Sequence, residues 1–369
     1  MKNSATLSAS IPPARGSKRI RRDPMSTRNP FTLIEILMVF LIIGILMALF
    51  IPMLREAKIQ AKYARWLAFN RSCSNDPTCV VNFNFQGDGW AFCTPPPGDK
   101  LVNSAAGSES SDFAPEFYDG LLKNNRSPTA RHNFEWVRAG RFGRYKWALK
   151  FNGVDTYVLI PTTKELNFTP YNGFTILCWI KFDKLDLGDC PFSKSLWGTA
   201  KDASCQYDIY SMPWAGKFGQ GSFDVDVFTT CGTWPNTEID FDKAGWVHLA
   251  LRYKCLKKDP ATGEAKGQIT VFINGKPLGK FINTTEENPY TATATDWVEC
   301  SKRRVPLILG GAGCYRKYWS PSTYAKGDES LENTWIIKFP FQGLMDEFMA
   351  YKRALSDGEI RGHYDMGKP

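Results

Sequence analysis

Histidine is the scarcest chemically useful residue in this sequence. Only three occur, at 132, 248 and 363, with none of the spacings of an HExxH helix or a compact catalytic cluster. No two of the ten cysteines form a CxxC pair, and none precedes residue 73, which argues against a structural zinc cluster. Acidic residues are nearly missing from the first thirty positions, where Asp23 alone faces seven Lys and Arg. The net charge of +9 therefore sits largely in that segment. The rest of the chain is close to neutral, so the basic balance is not a nucleic-acid signal. A phosphate-cradling loop is lacking too: Gly310-Gly311-Ala312-Gly313 runs into Cys-Tyr-Arg and not into a helix start. What remains, at 369 residues, 43% hydrophobic and 22% charged, is a globular composition with room for one large or two medium domains.

Residues 1–30 are polar, basic and rich in Ser, Pro and Arg, and cannot form a core. From Phe31 to Ile51 the chain is apolar and carries a single charge, Glu35. As a helix this stretch is roughly 31 Å long, the thickness of a bilayer's hydrocarbon core. Lys18, Arg19, Arg21, Arg22 and Arg28 should hold its N-terminal side in the cytoplasm, leaving everything after Pro52 extracytoplasmic. All ten cysteines lie on that side, and their even number suits disulfides. Cys73/Cys79, Cys190/Cys205 and Cys300/Cys314 are close enough in sequence to pair, while Cys178, in an apolar run, also reads as a buried small hydrophobe. Glu35 has two readings. A carboxylate within a span costs about 2.5–3.5 kcal/mol near the centre and so has a partner and a task. Alternatively, it sits in the first helical turn, favoured by the helix dipole.

Phe31-Thr32-Leu33-Ile34-Glu35, the apolar run behind it and Pro52 at the twenty-second place resemble the type IV prepilin and type II secretion pseudopilin signal. The resemblance covers about residues 25–70. It implies a prepilin peptidase that cuts between Pro30 and Phe31 and methylates the new amine. It also implies that Glu35 pairs with the N-terminus of a neighbouring pilin or pseudopilin subunit in the inner membrane. Pro30 stands where the family has Gly, and Met25, six residues ahead of Phe31, would start a leader of the family's usual short length. The helix should continue, since Leu54, Ala57, Ala61, Ala64, Leu67 and Ala68 recur at helical spacing until Asn75-Asp76-Pro77 ends it. This divides the chain into a leader, 1–30, a helical segment, 31–76, and a large domain, 77–369.

From residue 77 the pattern changes to a dozen short alternating segments, among them 80–85, 147–151, 156–160, 174–182, 206–210 and 222–228. They continue at 246–253, 268–273, 278–282, 306–309, 335–339 and 344–351. Asn274-Gly275 is a strong hairpin signal, because both residues tolerate positive φ. Strands without intervening helices imply a mainly β fold, an antiparallel two-sheet sandwich. The irregular stretch 86–146 reads as a surface excursion, and Ser356-Asp357-Gly358-Glu359 as a capping box that opens a last short helix. In order, Trp147–Asp155, Phe174–Ile180, Gly245–Ala250, Val271–Lys276, Gly343–Phe348 and Arg353–Ile360 resemble the laminin G-like, concanavalin A-like jelly roll. That resemblance implies a module that binds glycans, proteins or Ca²⁺, or serves as a spacer.

Three sets of residues carry candidate chemistry. Glu238, Asp240 and Asp242 resemble the catalytic strand of laminarinase-type glycosidases, and on a strand they would share one face; but Asp242 stands where a second Glu is expected, and the favoured reading is a solvated acidic turn. Asp224 and Asp226 share a strand face and are expected to point to water. Trp197, Trp214, Trp234, Trp297 and Trp319, in loops, could stack on sugar rings, whereas Trp179 and Trp246 read as core. Asn152, Asp155 and Asp346 could supply oxygens to Ca²⁺, the only cofactor suggested. The expectation is a membrane-anchored, pilin-like surface protein whose head binds a glycan or another surface component and is not an enzyme. The alternatives are an anchored glycosidase or a passive structural protein.

Overall fold

The computed structural model describes residues 31–86, 100–105, 119–124, 135–138, 140–163, 165–185, 188–197, 204–212, 222–228, 230–233, 239–241, 243–259, 261–262, 264–278, 290–292, 305–315 and 335–369. The chain divides into two compact units, Met1–Arg55 and Glu56–Pro369.

The described part of the first unit is helical. Helix α1 runs Leu33–Ser74, and its residues from Leu33 to Leu54 are exposed and almost wholly apolar. By length and composition it can cross a membrane. Thr32 caps its N-terminus: the Thr32 backbone N donates to Glu35 Oε2 at 2.8 Å, and the Glu35 N donates to Thr32 Oγ1 at 3.3 Å. Thr-x-x-Glu is a capping box, so the one charge in the apolar stretch satisfies orphan donors of the first turn. The first-turn reading of Glu35 is thus met within the chain.

In the second unit nineteen strands are described: β1 (Cys79–Phe83), β2 (Lys100–Leu101), β3 (Gly120–Asn124), β4 (Glu135–Val137), β5 (Ala148–Asn152), β6 (Thr156–Ile160), β7 (Phe174–Phe182), β8 (Phe192–Trp197), β9 (Ser204–Met212), β10 (Ser222–Val227), β11 (Thr230–Thr233), β12 (Val247–Asp259), β13 (Glu264–Ile273), β14 (Lys276–Pro277), β15 (Tyr290–Ala292), β16 (Leu307–Leu309), β17 (Ala312–Tyr315), β18 (Trp335–Lys338) and β19 (Gln342–Tyr351). Helix α2, Asp357–Gly367, closes the chain.

The strands form two sheets, antiparallel apart from a short parallel pairing of β17 with β8. Sheet A has the order β14-β13-β12-β7-β19-β5-β4, with β1 added to β19 and β15 to β13. Sheet B has the order β11-β10-β9-β8-β16-β6-β3-β2, with β17 and β18 joined through β8. Alternation explains the layering. On β7, Ile176, Cys178 and Ile180 face sheet B in the main core, together with Leu249 and Leu251 of β12 and Ile209 and Val225 of sheet B. The intervening Leu177, with Ala250, Phe272 and Met349 from neighbouring strands, faces the other way. That second face is buried as well, because Phe69 and Cys73 of α1 and Ile360 of α2 cover it. The order is therefore helices, sheet A, sheet B.

Between Ile273 and Lys276, Asn274 and Gly275 have φ of 51° and 72°, as the hairpin signal requires. The Ser356 box is formed, with the Glu359 N donating to Ser356 Oγ at 3.2 Å and the Ser356 N to Glu359 Oε2 at 2.7 Å. Two expectations are corrected. The stretch 86–146 is more than an excursion, since β3 pairs with β6 in sheet B and β4 with β5 in sheet A. Cys73, Cys79, Cys178, Cys190 and Cys255 are free thiols, so the pairs Cys73/Cys79 and Cys190/Cys205 are not formed. Cys93 and Cys300 lie outside the described residues.

Candidate functional site

The outer face of sheet A carries a buried ion cluster. It starts from a tight loop between β4 and β5, closed by Gly140 N donating to Lys146 O at 2.9 Å. A Cβ on Gly140 would stand 2.8 Å from that carbonyl, so only glycine allows the closure. The loop presents two buried cations, Arg141 and Lys146, to β19.

β19 meets them with adjacent acids. A regular strand would send Asp346 and Glu347 to opposite faces, but the pairing of β19 with β7 skips from Met345↔Ile180 to Glu347↔Trp179. Asp346 is the extra residue of that bulge, and bulges re-aim side chains. Both carboxylates reach Arg141: its Nε donates to Asp346 Oδ1 at 2.6 Å, and its Nη2 donates to Glu347 Oε2. The Arg141 backbone N donates to Asp346 Oδ2 at 2.8 Å, and Nη1 to the Gly367 carbonyl of α2 at 3.0 Å. Lys146 Nζ donates to the carbonyls of Asn84 and Asp346, at 2.7 and 2.6 Å. From α1, Trp66 Nε1 and Asn70 Nδ2 both donate to Glu347 at 3.1 Å. Lys146 Nζ lies 4.0 Å from the Trp66 ring centroid, and the Arg141 guanidinium 4.5 Å from that of Trp179.

Two cations and two carboxylates cancel, and all four are buried. Burial pushes Asp346 up more than Arg141 and Lys146 pull it down. For Glu347 the balance is reversed: burial raises it, but Arg141 and Lys146 more than offset this and hold it low. Burial lowers Lys146 to about 8, against the pull of Asp346. The Lys146 ammonium is enclosed and bonded to carbonyls, so it is not open to a substrate. The arrangement docks the outer half of α1, α2 and the 140–146 loop onto β19.

Beside this cluster lie two histidines. His248 is fully buried, 5.1 Å from Trp179 between ring centroids, and among the described residues neither of its ring nitrogens has a hydrogen-bond partner. Burial, helped by His363 and Arg141, holds it well below its ordinary range. His363 Nε2 is 3.4 Å from the Tyr351 hydroxyl, and burial lowers its pKa to about 4. Next to His363 is a cavity of about 200 Å³, lined among others by Phe69, Cys73, Asp76, Tyr351 and Arg353. Arg353 spans its rim, donating to Asp76 at 2.9 Å and Glu359 at 2.7 Å. Burial pushes the Cys73 thiol up to about 12, so it is a poor nucleophile.

The outer face of sheet B carries a polar patch on β9 and β10 beside two apolar clusters, Tyr157 with Ile308 and Ile337, and Tyr210 with Cys190 and Ala312. Asp208 and Asp226 lie opposite each other across β9 and β10, and Tyr210 Oη donates to Asp224 Oδ2 at 3.0 Å. Asp208 and Asp224 are buried and Asp226 is half-buried, which corrects the expectation that Asp224 and Asp226 point to water.

The remaining sequence candidates fall as follows. Phe31 is 82% exposed, and Pro30 lies outside the described residues. Asp240 belongs to a turn and not to a strand, and it pairs with Lys243 at 2.8 Å, so the alternation that would align it with Glu238 and Asp242 is missing at 239–241. Glu238 and Asp242 themselves, with Trp214, Trp234, Trp297 and Trp319, lie outside the described residues, and Trp197 ends β8. Trp179 is core, but Trp246 is only half-buried, just ahead of β12. The Ca²⁺ set does not assemble. Asn152 Oδ1 accepts from the N atoms of Val154, Asp155 and Thr156, and Asp155 Oδ1 accepts from Asn152 Nδ2 at 2.7 Å. Asp346 is four residues along β19 from Gln342, the partner of Asn152, roughly 13 Å away, and belongs to Arg141. Among the described residues no group of three His, Cys, Asp or Glu side chains could hold a metal ion.

No family model matches this sequence, and no curated protein matches it. Among solved structures, the chain is similar to domain 4 of AbnA, an extracellular arabinanase from Geobacillus stearothermophilus solved with arabinotriose. The identity is 18% and the TM-score 0.43, over 78% of this chain and 98% of that one. It is also similar to the binding domain of Paraclostridial Mosquitocidal Protein 1, at 14% identity and a TM-score of 0.40, covering 78% of this chain and 52% of that chain. Trypanosoma rangeli sialidase in complex with sialic acid matches at 16% identity and a TM-score of 0.40, over 79% of this chain and 34% of the sialidase.

Proposed function

We propose that this chain is a pilin-like surface protein: a membrane anchor that carries a non-catalytic, laminin G-like head. One observation carries the reading. A single helix begins with a capped Phe31-Thr32-Leu33-Ile34-Glu35 start, stays apolar and exposed through Leu54, and then presents Tyr63, Trp66 and Asn70 as a buried face. An ordinary soluble helix of that length would bury its apolar stripe along its whole course. In this reading prepilin peptidase cuts before Phe31, the apolar half enters the inner membrane, and the head lies outside the cytoplasm. Other pilin or pseudopilin subunits are the expected partners. Flotation of the native protein with membranes, resistant to carbonate, tests the anchor. Release into the soluble fraction would end it.

The head is proposed to bind a glycan or another surface component without cutting it. Support comes from the sequence, through tryptophans 214, 234, 297 and 319 in expected loops and Trp197 at the end of β8, and from the polar patch of sheet B around Tyr210 and Asp224. Against a glycosidase stands the turn at Asp240, where the glycosidase resemblance requires a strand. The detergent-solubilised chain, applied to immobilised polysaccharides, should be retained by at least one of them and release no reducing sugar. Turnover that Glu238→Gln abolishes would replace this reading with the enzyme.

A further inference from the structure

On α1, Ile59, Tyr63, Trp66 and Asn70 form the face packed on the head. Lys58, Lys62 and Arg65 each stand one residue before a member of that face, so they lie about 100° round the helix on a common stripe. Lys58 and Arg65 are exposed and Lys62 is half-buried, donating one bond to the Pro369 carbonyl at 2.7 Å. Arg55 stands three residues before Lys58, at the same helical spacing. The only acid among residues 55–70 is Glu56, which is already engaged by Tyr145 Oη and Arg144, both at 2.6 Å. Lys58 and Arg65 therefore carry positive charge that no acid of this segment answers.

We infer that this stripe contacts anionic phospholipid headgroups, an inference that rests on the membrane-anchor reading above. Lys58 follows Leu54, the last residue of the apolar run, by four residues, or about 6 Å of helix. The headgroup layer on each side of a bilayer is roughly 5–7 Å thick. Lys58 thus stands at its depth, Lys62 about 6 Å further along, and Arg65 beyond that, still within about a Debye length of the charged surface. Side chains on a helix lean toward its N-terminus, which here is the membrane side, so the long stems shorten those gaps. A solvated stripe needs no such continuity with an apolar run. A stripe placed this way gains attraction for each basic residue near an anionic surface.

The test reconstitutes the full chain in vesicles of phosphatidylcholine alone or with about 30% phosphatidylglycerol, and follows lysine acylation by mass spectrometry. Lys266, exposed on β13, serves as the internal control. Lys58 should react about fivefold more slowly in the anionic vesicles, Lys62 should be protected less, and about 0.5 M salt should erase the difference. Equal Lys58 reactivity in the two lipids, in chain that floats with both, would overturn the inference and leave the anchor standing. Protection that tracks protein density and ignores lipid charge would overturn it in favour of a second copy. Failure to float with either vesicle would sink the anchor reading itself.

Discussion

The two outer faces of the sandwich start from the same alternation and end in opposite states. On sheet A the outward residues Leu177, Ala250, Phe272 and Met349 are buried under α1 and α2, and the buried charges beside them are matched within the fold: Arg141 and Lys146 with Asp346 and Glu347. On sheet B, Asp208, Asp224 and Asp226 share a face in the company of Tyr210, with no helix of the described residues laid over them. A face whose charges cancel against its own chain has finished its work in folding. On sheet B two carboxylates, Asp208 and Asp226, face each other across β9 and β10, a pairing that costs the sheet stability where both are charged. Sheet A is thus the face on which the chain docks its own helices, whereas no described helix covers sheet B.

Breaking the sheet A side should give the largest effect. Arg141→Ala leaves two buried carboxylates with only Lys146 between them, and should lower stability by about 3–5 kcal/mol. Chemical denaturation of the detergent-solubilised chain measures this. A loss under about 1 kcal/mol would mean the cluster does not hold the helices down.

The next effect is a pH dependence peculiar to the helix-covered face. Burial keeps His363 neutral, so its folded pKa, about 4, lies below its unfolded value near 6.5. Stability from this group is complete above about pH 6.5 and falls as pH drops from there toward 4. The slope is about 1.4 kcal/mol per unit, or roughly 3 kcal/mol in all. His248 should add to the loss in the same direction. Glu347 and Glu359 favour the protonated form of His363, while Arg353 and Arg141 oppose it. Unfolding measured from pH 7 to 4 should show this slope, and His363→Gln should flatten it. An unchanged profile in the variant would assign the acid lability elsewhere.

Smaller effects sharpen the contrast. Ser356→Ala removes the cap of α2 and should cost about 1 kcal/mol. Asp224→Asn keeps an acceptor for Tyr210 while removing one charge from a like-charged face, and should change stability by less than about 1 kcal/mol in either direction. A large destabilisation by Asp224→Asn would show that sheet B is also a folding face, and the division of labour would fail.

Much of the architecture was legible in the sequence because it follows from local rules. Asn75-Asp76-Pro77 ends α1 one residue after Ser74, Asn274-Gly275 turns the β13–β14 hairpin, and Ser356 opens α2. The strands that escaped notice are those whose alternation is blurred. β8, Phe192–Trp197, carries a buried Lys194 bonded to Thr162 and Val305, and β3 and β4 lie in a stretch rich in Ser and Pro. The ion cluster was not legible, because it depends on a bulge that no sequence pattern announces. Its one signal was Asp346-Glu347 inside an apolar strand, where alternation requires at least one of two adjacent acids to be buried. The Ca²⁺ set failed for the same reason, since the bulge turns Asp346 onto Arg141.

Glu35 joins these strands of the argument. Its carboxylate closes a capping box with Thr32, so the charge in the apolar stretch is explained within one chain. A pilin-like role adds a demand that the box does not, namely a free, methylated amine at Phe31 four residues before it. Mass spectrometry of the native protein's N-terminus measures that demand directly. The account predicts a chain that begins at Phe31 with one added methyl group. A native chain that retains residues ahead of Phe31, in cells whose prepilin peptidase is active, would contradict it.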